Sequence, residues 1–77
     1  MMARVRDRIL RIVLGSDREF TVRELARLVY GVDEPSLSQI KYVSRIAKEL
    51  GREGKLEYKF LGNKSIVKAK KIKGESH

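Results

Sequence analysis

The chain has no cysteine, and its one histidine is His77. Without cysteine there is neither a disulfide framework nor a thiolate zinc site, and a single histidine leaves too few ligands for most other metal centres. The sequence therefore implies no metal and no cofactor. Its N-terminus also lacks the uninterrupted apolar core that a signal peptide needs: Arg4, Arg6, Asp7 and Arg8 break up the first ten residues. That argues against a signal peptide, and no later stretch is long enough to span a bilayer. Proline occurs once, as Pro35, and side-chain amides only at Gln39 and Asn63. With abundant Lys, Arg and Glu, this profile leans towards a hyperthermophile. A cytoplasmic protein with no membrane partner is the expectation.

Catalytic constellations are missing as well. The sequence offers no nucleophile–base arrangement and no phosphate-cradling glycine loop. A carboxylate site built from Glu53 and Glu57 would have no histidine, cysteine or glycine-rich loop to work with. A chain of 77 residues encloses little pocket. No enzyme activity is expected.

What is present is positive charge, and its placement is informative. The net charge is +8. Residues 1–34 hold seven arginines against six acids, whereas residues 35–77 hold eleven basic residues against four acids. Nearly all the excess lies in the second half, which suggests a polyanionic partner for that half, either nucleic acid or an anionic surface. Plain solubility would also account for a positive balance. A membrane-surface role lacks the amphipathic helix and aromatic anchors that interfacial binding favours.

The apolar pattern divides the chain into one set of elements and so one domain, over 1–71. Val5, Ile9, Ile12 and Val13 sit at helical spacing up to Gly15, giving a helix over about 3–14. Glu19-Phe20 forms a short extended piece. Thr21-Val22-Arg23-Glu24 then has the form of a capping box, with Phe20 and Leu25 placed as a hydrophobic staple. It opens a second helix that ends near Tyr30-Gly31. Pro35 suits the first turn of a third helix, capped by Asp33 or by Ser36 with Gln39 completing the box. That helix buries Ile40, Val43, Ile46, Ala47 and Leu50 and runs to Gly51.

Beyond Gly54 the period changes to two. A two-residue turn at Gly62-Asn63 sets Leu61 opposite Lys64, Phe60 opposite Ser65, Lys59 opposite Ile66, Tyr58 opposite Val67 and Glu57 opposite Lys68. Leu56, Tyr58, Phe60, Val67 and Ala69 then share a core face. Lys55, Glu57, Lys59, Lys64, Lys68 and Lys70 share the other, with Glu57 and Lys68 as a cross-strand ion pair. Residues 72–77 read as a flexible tail.

Helix, short strand, helix, turn, helix and hairpin is an order that resembles the winged helix-turn-helix family. The residues carrying the resemblance are "FTVRELARLVYG", "PSLSQIKYVSRIAKELGREGKL" and "EYKFLGNKSIVKAKK". It implies an α+β fold of three helices, a short strand and a C-terminal two-stranded hairpin wing. It further implies a double-stranded DNA partner, with the third helix in the major groove and the wing on the backbone or minor groove. Carried over by position, Ser38, Gln39, Lys41, Tyr42 and Arg45 are the DNA-facing residues of the third helix. Gln39 suits adenine, Lys41 or Arg45 suits guanine, and Ser38 and Tyr42 suit phosphates. Lys59, Asn63, Lys64 and Lys68 are the wing residues.

Such a chain would be a small transcriptional regulator of archaeal or archaeal-virus type, associated with the nucleoid. The alternative is an interaction module or RNA-binding protein within a larger assembly. Each exposed Lys, Arg or Gln is equally explained as a solvated face, and wing lysines as protection of an open sheet edge. Leu10, Leu14 and Leu28 fall partly off the buried stripes and would either complete the core or form a homodimer patch.

Overall fold

A computed structural model describes residues 4–70; the tail expected over 72–77 lies outside them. The elements are α1 (Val5–Leu14), β1 (Phe20–Thr21), α2 (Val22–Tyr30), α3 (Leu37–Arg52), β2 (Glu57–Leu61) and β3 (Lys64–Lys68). The fold is α+β: three helices against a three-stranded antiparallel sheet of order β1-β3-β2. The β2–β3 register matches the sequence-based pairing at every rung from Glu57–Lys68 to Leu61–Lys64. β1 joins through Phe20 opposite Val67 and Thr21 opposite Ile66.

The turn explains why this register is so well determined. Gly62 adopts φ 61°, and Asn63 has no positive φ. A left-handed residue only at the first turn position matches the right-handed twist of the strands it joins, and glycine takes it without steric cost.

The helices and the sheet build a single core, to which Val5 and Ile12 of α1 and Ile40 and Ile46 of α3 add only partly buried side chains. Ile9 and Val13 come from α1, Val22, Leu25, Ala26 and Val29 from α2, and Val43, Ala47 and Leu50 from α3. Phe20, Leu56 and Val67 complete it from the sheet side, and among the described residues no buried side-chain nitrogen or oxygen lacks a hydrogen-bond partner. Leu10 packs partly against this core, while Leu14 and Leu28 are about half exposed.

Several details differ from the sequence reading. Thr21 Oγ1 accepts the Glu24 N–H at 3.1 Å, but Glu24 does not reach back to close the box. Its carboxylate is taken by Arg18 at 2.9 Å instead, because a guanidinium offers a stronger, charge-assisted partner than a single amide. In α3 the cap is Ser36, with a complete box: Gln39 N–H donates to Ser36 Oγ and Ser36 N–H to Gln39 Oε1. Pro35 therefore stands before the cap, buried, rather than in the first turn.

The helix also runs through Gly51 to Arg52. It stops at Gly54 (φ 78°), where Gly54 N–H and Lys55 N–H bond back to the carbonyls of Gly51 and Leu50. Gly51 serves packing instead. A Cβ there would stand 3.1 Å from Tyr58 Cβ, so its bare face lets the hairpin approach α3 closely.

Phe60 is a correction of more consequence. It holds its expected rung, yet it is 64% exposed rather than buried. Leu56 and Val67 lie under the helices and Tyr58 is half covered. Two rungs nearer the turn, the hairpin projects past its helical cover.

Arg6 and Arg8 of α1 make tertiary contacts. Arg6 forms a forked pair with Glu53, tying the start of α1 to the end of α3. Arg8 donates to the Val29 carbonyl at 2.7 Å, placing positive charge at the C-terminal end of α2, where the helix dipole favours it.

Arg18 holds the Glu24 carboxyl, and Arg6 the Glu53 carboxyl, below the usual carboxylate range, chiefly by hydrogen bonding. A carboxyl whose folded-state pKa is depressed stabilises the fold above its unfolded value. That contribution disappears as pH falls through the folded value. The melting temperature should accordingly drop as pH is lowered from about 4.5 towards 3. Glu24→Gln/Glu53→Gln should lower it at neutral pH and flatten this acid limb; an unchanged acid limb would assign acid sensitivity to other groups.

Candidate nucleic-acid interface

Helical geometry decides which α3 side chains share a surface. Lys41, Arg45, Lys48 and Arg52 follow one another at four-, three- and four-residue steps. At 3.6 residues per turn they fall within an arc of about 60°. The arc is opposite Val43, Ala47 and Leu50, so packing of the core turns all four cations outward.

The sheet supplies a facing wall. Tyr58 leans on α3, with its hydroxyl 3.3 Å from Ser44 Oγ and its ring 6.0 Å from Lys48 Nζ. This contact fixes the angle between hairpin and helix. Between the exposed side of α3, the start of α2 and the hairpin turn lies a groove of about 860 Å³. Six cations line it: Arg23, Lys41, Arg45, Lys48, Arg52 and Lys64. The one carboxylate on its wall is Glu49. Thr21, Ser44, Asn63 and Ser65 add neutral hydrogen-bonding groups, and Val22 and Ile40 an apolar floor. Like-charged side chains converging on a concave wall focus a positive potential there.

The predicted residues divide into four groups. Lys41, Arg45, Asn63 and Lys64 line the groove. Ser38 and Tyr42 are exposed on α3 but turn away from the hairpin and stand outside the groove. Gln39 is committed elsewhere: its carboxamide oxygen accepts the Ser36 N–H at 2.9 Å. Bidentate pairing with adenine needs both the oxygen and the nitrogen of the amide, so Gln39 could do this only by opening the cap of its own helix.

Lys59 and Lys68 sit on the sheet face opposite α3, as the alternation of side chains along a strand requires. Both approach Glu19 at 3.8 Å, and Lys68 approaches Glu57 at 3.6 Å. The predicted Glu57–Lys68 pair is present, but it belongs to a four-residue ionic cluster that partly neutralises both lysines.

Arg23, Lys48 and Arg52 are groove residues that the sequence reading did not select. For Lys48 and Arg52 a usable signal existed in the run of cations at 41, 45, 48 and 52. Arg23 lies eighteen positions before Lys41 in the chain; only the packing of α2 against α3 brings it to the same wall. Among the described residues no group of carboxylates and histidines could hold a metal ion, and no helix is long and apolar enough to cross a membrane.

No family model, curated protein or solved structure matches this chain, so its groove has to be interpreted from its own chemistry.

Proposed function

We propose that the protein is a double-stranded DNA-binding domain of winged helix-turn-helix type and acts as a small transcriptional regulator. In this reading α3 enters the major groove, and the hairpin is the wing, lying along the adjacent backbone or minor groove. The observation that carries it is the groove itself, in which six cations and one carboxylate converge from three elements. A phosphate backbone is the polyanion such a wall fits. Lys41 and Arg45, on the outward face of α3, have the donors to read guanine edges, and Lys48, Arg52, Arg23 and Lys64 suit phosphates.

A salt titration of duplex binding tests this. Log affinity should fall linearly with log salt, with a slope of about −5 if all six cations each neutralise a phosphate. Lys64→Ala should make the slope shallower by about 1. Lys68→Ala, on the far face of the sheet, should leave it nearly unchanged. Equal effects of the two substitutions would mean that the hairpin engages DNA through the other face. Absence of micromolar binding even at low salt would remove the DNA reading, and preference for structured RNA in competition would favour the RNA-binding alternative.

A further inference from the structure

β2 is an edge strand: the sheet order leaves its outer side without a neighbour among the described residues. The residues flanking a two-residue turn, here Leu61 and Lys64, exchange hydrogen bonds with each other, and the alternation then continues along the ladder. Leu61, Lys59 and Glu57 therefore aim their backbone groups at β3. Phe60, Tyr58 and Leu56 aim theirs outward, and none of these finds a backbone partner among the described residues. The same edge carries Phe60 and Leu61 with 64% and 54% of their surface exposed. An open edge beside exposed apolar side chains is a template for another strand.

We propose that this edge pairs with a second copy of itself. The dimer would be a two-fold antiparallel β2–β2 contact centred on Tyr58, giving a continuous six-stranded sheet. Among registers centred within β2, the charges select one. With Tyr58 opposite Tyr58, Glu57 of each copy faces Lys59 of the other, twice, and Phe60 faces Leu56. Moving the centre to Lys59 sets the two lysines against each other. Centring on Glu57 opposes two glutamates, and centring on Phe60 gives neither Glu57 nor Lys59 an opposite charge, setting them against Asn63 and Leu61.

The backbone agrees with the charges. In the Tyr58 register the directly opposed residues are those whose N–H and C=O groups point outward. Glu57 and Lys59 fall at the non-hydrogen-bonded rungs, where opposed side chains come closest. The existing Lys68–Glu57 and Lys59–Glu19 contacts would extend into an alternating ladder across the joint: Lys68, Glu57, then Lys59 and Glu19 of the second copy. The two-fold stands perpendicular to the sheet, so both α3 helices lie on the same side of it.

Charge-swap sedimentation tests this without reference to DNA, so its failure and that of the DNA reading are distinguishable. The wild-type chain should sediment as a dimer at about 100 µM, and a monomer there overturns the proposal. Glu57→Lys and Lys59→Glu alone each put like charges at both rungs and should weaken dimerisation about tenfold or more. Mixed one to one, the two variants are complementary at both rungs and should recover a heterodimer. Circular dichroism of each separates misfolding from lost contact, and a misfolded single variant would not be restored by mixing. Folded variants that recover no dimer on mixing overturn the proposal. So does a dimer indifferent to residues 57 and 59 but lost on Leu28→Glu, which would locate the contact on the α1–α2 side.

Discussion

Phe20→Ala is expected to remove roughly half of the stability of the fold. Phe20 is 2% exposed and stands where three parts of the fold meet. It pairs with Val67 in the sheet, precedes the Thr21 cap of α2, and packs in the core with Leu25. Truncating a buried phenylalanine costs about 3–5 kcal/mol, from lost transfer energy and the cavity left behind. A domain of 77 residues has about 4–12 kcal/mol in all. The Arg18 guanidinium, 4.1 Å from the ring centroid, would also lose its aromatic face. Urea denaturation should show the midpoint falling by roughly half with a similar slope. A loss below about 1 kcal/mol would mean that β1 and the start of α2 are not part of the cooperative unit.

Lys41→Glu/Arg45→Glu should have the largest effect on binding while sparing the fold. Both side chains are exposed, and neither takes part in an ion pair or side-chain hydrogen bond among the described residues. Reversing both replaces two attractive charges in the groove by two repulsive ones. At about 0.1 M salt the affinity for duplex DNA should fall by about 10²–10³. The salt slope should become shallower by about 2, while the melting temperature changes little. Unaltered DNA affinity in a folded double variant would show that α3 does not face the nucleic acid. The accompanying control is Ser38→Ala/Tyr42→Ala, on the side of α3 away from the hairpin, which should cost much less.

How much of this was legible beforehand depended on the range of the interaction concerned. The hairpin register followed from local information: a two-residue turn beginning with glycine, and an alternation that any one-residue slip would scramble. The helix stripes followed from spacing. Position along the third axis did not. Phe60 has the same alternation as Tyr58, and nothing in the local pattern says where the helical cover ends. Gln39 was legible both as a cap and as a base reader, and the capping geometry engaged it. The lysines of the hairpin looked alike in sequence, and alternation gives Lys59, Lys64 and Lys68 the same face; Lys59 and Lys68 meet Glu19 and Glu57 there, while Lys64, at the turn, borders the groove instead.

The sequence by itself determined the type and order of the elements, the strand register and the half of the chain that carries the positive charge. These depend on neighbours within a few residues, where periodicity and turn chemistry act directly. Tertiary structure alone decided which cations face one another. Convergence of Arg23, Lys41, Arg45, Lys48, Arg52 and Lys64 on one wall depends on how α2, α3 and the hairpin pack. That packing is fixed by the shared core, whose residues are distant in the chain, and by the close approach of Tyr58 to Gly51.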